Sequence, residues 1–141
     1  MKFIDRTSEA KKEMQKKALV ALEDVGLHLE GEAVQEIENH PRRVDTGLLK
    51  NSITHAVAGK AINKSYKADR PKSAKGQVVT GSYNGSMGTA DELAVYIGTN
   101  VEYAIYVHEG TVNMEANRFL TNAVSKNEAQ IKKWLGDAMK Q

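Results

Sequence analysis

Residues 8–39 carry an unbroken helical pattern, and a helix of that length restricts what a chain of 141 residues can fold into. Met14, Ala18, Leu22, Val25, Leu29, Ala33 and Ile37 recur at spacings of three and four, and Leu19 and Val34 widen the stripe. Thr7 or Ser8 is placed to cap the start, and Glu9 suits the positive end of the helix dipole. Pro41 ends the pattern, because a proline pushes the preceding residue, here His40, out of the α region. At 1.5 Å per residue the predicted rod is roughly 48 Å long, which is a great deal for one small domain. Gly26 and Gly31 lie inside it, each costing about 1 kcal/mol relative to alanine. They mark a bend or a close contact, or else sit on an exposed side.

The rest of the chain reads as mixed. Ser52–Ala58 alternates Ile53, His55 and Val57 against Thr54, Ala56 and Ala58, and Leu93, Val95 and Ile97 alternate before Gly98. Both are strand patterns. A weaker third strand is predicted over 77–83. Antiparallel pairing is expected, since no helix-length crossover separates the strands. Asn100 is placed to cap a short helix over 101–109, with Tyr103, Tyr106 and Val107 on one face and Gly110 at its end. From Asn117 a second amphipathic helix carries Phe119, Leu120, Ala123, Val124, Ile131, Trp134, Leu135 and Ala138. Residues 1–141 thus read as a single α+β domain. It has a long N-terminal helix, a small antiparallel sheet, a short middle helix and a C-terminal amphipathic helix. Between the strands, 59–91 reads as a long, flexible, basic loop, far beyond the usual hairpin loop of about 2–5 residues.

Charge is spread unevenly. The net formal charge is +2, yet residues 1–40 hold 6 Lys/Arg against 9 Asp/Glu, residues 41–79 hold 9 against 2, and residues 80–141 hold 5 against 7. Lys60, Lys64, Lys67, Arg70, Lys72 and Lys75 crowd one stretch and suggest an acidic partner, either a protein surface or nucleic acid. There is no cysteine, so disulfides and thiolate metal sites are excluded. No apolar h-region opens the chain and no run approaches the roughly 20 residues of a membrane span, so synthesis and folding in a cytoplasm, away from membranes, are expected.

Asp45-Thr46-Gly47 imitates the signature around an aspartic protease carboxylate. Such a carboxylate ends an apolar strand, so that two can meet and share a proton. Here the preceding residues are Glu38-Asn39-His40-Pro41-Arg42-Arg43, polar and broken by proline. The triplet reads instead as a turn in which Asp45 or Thr46 caps residues 47–51, Gly47 permits the bend and Leu48 or Leu49 enters the core. His108-Glu109 lacks the second histidine of a zinc-protease helix, and His28, His40, His55 and His108 share no ligand spacing. No nucleophile elbow, phosphate loop or dinucleotide fingerprint is present. No catalytic, cofactor or metal residues are assigned, and the chain is expected not to be an enzyme.

Three segments in order carry a resemblance. Arg43-Val44-Asp45-Thr46-Gly47-Leu48-Leu49-Lys50-Asn51-Ser52-Ile53 is followed by Val95 to Thr111, with Gly98 and Tyr103-Ala104-Ile105-Tyr106-Val107-His108-Glu109-Gly110-Thr111, and then by Met114 to Leu120 with Phe119-Leu120. The series resembles the tail-completion family of long-tailed phages, the minor tail components or neck proteins of lambdoid-type phages and prophages. It covers most of residues 40–125 and departs at Arg118, where the family usually has proline. The resemblance implies a virion structural protein that forms a ring, hexameric in the finished particle, at the head-proximal end of the tail. It implies as partners other copies of itself, a tail terminator or tail tube protein and a head-completion stopper, with DNA passing through. The alternative reading is a small nucleic-acid-binding module using residues 42–75.

Overall fold

The computed structural model describes residues 7–39, 47–71, 76, 78–90, 92–112 and 115–140. Helix α1 spans Thr7–Glu38, 32 residues, as the periodicity requires. Its buried side is Val25, Leu29, Ala33 and Ile37, one residue every fourth position. Met14, predicted to be on the stripe, is exposed, because the other elements gather along the later turns of the helix.

A short helix α2 (Leu48–Ser52) follows, and then strand β1 (Thr54–Val57), which pairs antiparallel with β4 (Val95–Gly98). Between them in sequence, β2 (Ala61–Lys67) and β3 (Thr80–Ser86) form a second antiparallel ribbon, in register from Ala61↔Ser86 to Lys67↔Thr80. Helix α3 (Ala104–Glu109) and helix α4 (Phe119–Met139) complete the chain. Helix α4 runs antiparallel to α1. Asn117 meets Glu36 at one end, Asn127 meets His28 further along, and Trp134 and Ala138 lie beside Val20 and Ala21.

The α+β class, the two long helices and the β1–β4 pairing agree with the sequence. Residues 59–91 do not form one long loop. They contain β2 and β3, so there are two small sheets rather than one. The strands are hard to read because the sides turned from solvent carry Ile62, Lys64 and Tyr66 on β2, and Gly81 and Tyr83 on β3. Only a few of these are plainly apolar, and cross-strand pairing decides the rest. The third strand begins at Thr80 rather than near 77, and Gln77 lies outside the described residues. Asn100 does not cap α3, whose cap position is Tyr103. The Asn100 amide instead donates to the Ser82 carbonyl at 2.9 Å and its oxygen accepts from the Tyr66 hydroxyl, tying the ribbon to the segment after β4. Leu93 and Val124 are exposed, outside the faces the pattern gave them.

One cluster forms the core. Ala33 and Ile37 of α1, Leu49, Ile53, Ala104, Phe119 and Ala123 are buried together, with Val34, Ile97, Val101, Val107 and Leu120 packed around them. Ser52, buried beside Ile53, donates to the Leu49 carbonyl at 2.6 Å and shares a 2.5 Å contact with the Thr99 hydroxyl. Among the described residues no buried side-chain nitrogen or oxygen lacks a partner.

The two helical glycines separate cleanly. A Cβ on Gly26 would lie 2.7 Å from both the His55 ring and Val95 Cγ2, so this glycine lets β1 and β4 approach α1. A Cβ on Gly31 meets nothing within 4 Å. Gly26→Ala is therefore expected to lose about 1–3 kcal/mol through overpacking, and Gly31→Ala to gain about 0.5–1 kcal/mol through helix propensity. Urea midpoints of the two variants check this; a stabilised Gly26→Ala would refute the close packing.

Candidate functional site

The three segments that carry the family resemblance converge on the core. Leu49 and Ile53 come from the first, Ala104, Val101 and Val107 from the second, and Phe119 and Leu120 from the third. Gly47 takes φ 85 at the N-terminal cap of α2, a left-handed conformation that favours glycine. A Cβ there would also lie 2.6 Å from Asp69 Oδ2. Leu49 is the buried leucine of the pair, and Leu48 is half-buried. Asp45 and Thr46, assigned as caps, and Met114 lie outside the described residues. Gly110 takes φ 82 and its N–H donates to the Tyr106 carbonyl, ending α3 as expected. Arg118 stands just before α4 with φ −77, within the range proline adopts, and pairs with Glu109 at 3.3 Å. The same segments leave Tyr103, Ile105 and Tyr106 on the surface, where the core does not require them.

The basic stretch divides. Lys64 turns inward, 3.1 Å from Glu30 of α1, and donates to the Ile53 carbonyl, so it is not part of an open basic patch. Its position on the inner side of β2 puts the charge against the carboxylates of α1. Lys60, Lys67 and Arg70 are exposed. Lys72 and Lys75 lie outside the described residues. Beyond β2, Asp69 anchors the ribbon to α2: it pairs with Lys50 at 3.1 Å and accepts from the Asn51 amide at 2.8 Å. Lys50 also reaches Glu38 at 3.3 Å. The hydrogen bonds to Asn51 and Lys50 hold the Asp69 carboxyl below its ordinary pKa. Those to Asp69 and Glu38 hold Lys50 above its own.

Two histidines have a chemistry the sequence did not reveal. His55 is clamped between Glu30 (Nδ1–Oε2 2.5 Å) and Glu23 (Nε2–Oε1 2.7 Å), so both ring nitrogens are engaged. His108 contacts Glu109 at 2.7 Å through Nδ1, while Nε2 faces the Thr121 hydroxyl at 3.3 Å and backbone N–H at 3.5 Å. With Nδ1 protonated, the ring accepts from the first turn of α4, serving as a cap that Arg118 does not supply. Its edge packs on Phe119 at 5.2 Å between ring centroids. Among the described residues no group of three or more His, Cys, Asp or Glu is placed to hold a metal ion.

A concavity lies elsewhere among the described residues. A groove of about 890 Å³ runs between the first half of α1 and the end of α4, with Val20, Ala21, Val25, Trp134 and Ala138 in its lining. Sequence reading assigned Trp134 and Ala138 to an apolar stripe, but whether a stripe is filled depends on the helix opposite. Among the described residues no helix is long and apolar enough to cross a membrane. Comparison of the chain with protein-family models, curated proteins and solved structures finds no match.

The His55 clamp has a pH signature. Burial disfavours the imidazolium, but the hydrogen bonds to Glu30 and Glu23 outweigh it and raise the pKa above its ordinary value of 6.5. The groups facing the ring are Glu23 and Glu30 of α1, Val95 of β4 and, through Glu30, Lys64 of β2. A raised folded-state pKa means that the stabilisation is complete below about pH 6.5 and is lost as pH rises through the folded-state value. Urea unfolding is expected to show this component falling from mildly acidic to alkaline pH, and His55→Gln to abolish it. An unchanged slope in the variant would show the clamp to be energetically silent.

Proposed function

We propose that the protein is a virion structural subunit that joins a phage tail to its head by forming a ring at the head-proximal end of the tail. The observation that carries this reading is the convergence of the three family-like segments, in chain order, on one core cluster. Residues spread over Gly47–Leu120 share one packing role, which supports reading the three segments together. Tyr106 of the same segments stays outside the core, which suits contacts between subunits.

A ring subunit needs two different surfaces that meet by rotation. The exposed residues Lys60 and Lys67 provide a further surface for an acidic neighbour, either a tail terminator or tube protein or a head-side stopper. Virion assembly is the site of action in this reading, after synthesis in the host cytoplasm.

Native mass measured over a range of concentrations, with negative-stain microscopy, is expected to reveal closed rings, hexameric in finished particles. Purified protein is expected to restore head–tail joining in extracts that lack it. Absence of the protein from virions, no effect of its loss on joining, and DNA affinity falling steeply with salt would replace this reading with the nucleic-acid-binding one.

A further inference from the structure

We propose that His55 is a one-sided, pH-operated latch between β1 and α1: on losing its proton the ring keeps Glu30 and lets Glu23 go. The latch is intrinsic to the subunit and holds whatever the chain assembles with. The ring meets two carboxylates two turns apart on α1, Glu30 at Nδ1 (2.5 Å) and Glu23 at Nε2 (2.7 Å). An ionised carboxylate only accepts, so both contacts are hydrogen bonds only while both ring nitrogens carry a hydrogen, as in the imidazolium. A neutral imidazole has one N–H, and its bare nitrogen turns a lone pair toward a carboxylate.

The surroundings decide which carboxylate leaves. The ring itself is held: the His55 side chain is 14% exposed, and it lies so close to Gly26 that a Cβ there would come within 2.7 Å of it. Glu30 is held as well. It is 23% exposed and takes a second hydrogen bond from Lys64 at 3.1 Å, while Lys64 also donates to the Ile53 carbonyl just before β1. Glu23 is 47% exposed and, among the described residues, pairs only with His55. It can turn to water without giving up another contact.

On the sheet side, Tyr83 of β3 and Tyr96 of β4 line a cavity of about 120 Å³ together with His55. Tyr96 donates to Glu92 at 2.6 Å. A phenol is uncharged near neutral pH, so neither tyrosine competes with the carboxylates for the ring. The proton therefore leaves Nε2 for water past Glu23, and Nδ1–H stays on Glu30. Burial disfavours the imidazolium, but the hydrogen bonds to Glu30 and Glu23 outweigh it, so release begins as pH rises through a value above 6.5. The β2–β3 ribbon keeps its tie to α1 through Lys64 and Glu30, so the junction loosens at the Glu23 end alone. There a free carboxylate joins the exposed Asp24.

Nitrogen NMR of the unmodified protein across the transition tests this. A histidine free in water favours the tautomer with its hydrogen on Nε2, and the latch requires the opposite one. Above the transition His55 is expected to show a protonated Nδ1 and a bare Nε2, with the Glu23 carboxyl carbon shifting several-fold more than that of Glu30. Glu23→Gln is expected to keep the Nδ1–H form. Lys64→Met, which removes the second hold on Glu30, is expected to mix the two tautomers. An Nε2–H ring above the transition in the unmodified protein would overturn the latch, as would equal carboxyl shifts of Glu23 and Glu30. An unchanged tautomer in Lys64→Met would overturn the role of Lys64 in choosing the side.

Discussion

The later half of α1 is a row of carboxylates to which the other elements are tied. From Glu23 to Glu38 the helix has no lysine or arginine. Glu23 and Glu30 hold His55 of β1, Glu30 also holds Lys64 of β2, Glu36 holds Lys126 of α4 at 2.5 Å, and Glu38 holds Lys50 of α2. The exposed pairs among these contribute only about 0.2–1 kcal/mol each. The burial of Ala33 and Ile37 with Phe119 and Ile53 supplies the larger driving force. Burial is non-directional, whereas each ion pair admits one placement. The carboxylates therefore set where each element lies along the rod, and the apolar face sets how tightly it is held.

That arrangement gives the charge asymmetry of the chain a physical meaning. An acidic stretch followed by a basic one suggests an external partner when read as a string. Folded, part of the basic stretch turns back on the acidic one: Lys50, His55 and Lys64 are used internally. Lys60 and Lys67 remain outward, and Arg70 acts on the neighbouring Asp69, so the outward basic surface is narrower than the count of cations implies.

The family-like segments show the same division between inside and outside. Their leucines, alanines and Phe119 are consumed by the core, which accounts for their spacing. Ile105 and Tyr106 lie on the opposite side of the same short helix. The groove beside Trp134 is a second apolar surface left open at the other end of α1. Two apolar surfaces that the described residues leave open are the physical content behind the functional proposal.

The long helix, its stop before residue 40, the β1 and β4 alternation and the amphipathic α4 were legible because each rests on local periodicity and turn chemistry. Gly47 and Gly110 were legible for a similar reason: a positive φ favours glycine whatever surrounds it. The β2–β3 ribbon was not legible, since Asn63, Ser65, Ser82 and Asn84 become strand residues only when paired. Nor could the sequence assign Lys64 inward, Asn100 to the ribbon, His108 to the start of α4, or Gly26 rather than Gly31 to the close approach. The sequence by itself determined which segments are helical, where they end and which faces are apolar, because those follow from neighbours three or four residues away. Only the tertiary structure decided which charges are spent internally and which apolar surfaces stay open. Those depend on what lies opposite, and the groups opposite come from residues as far apart as His28 and Asn127.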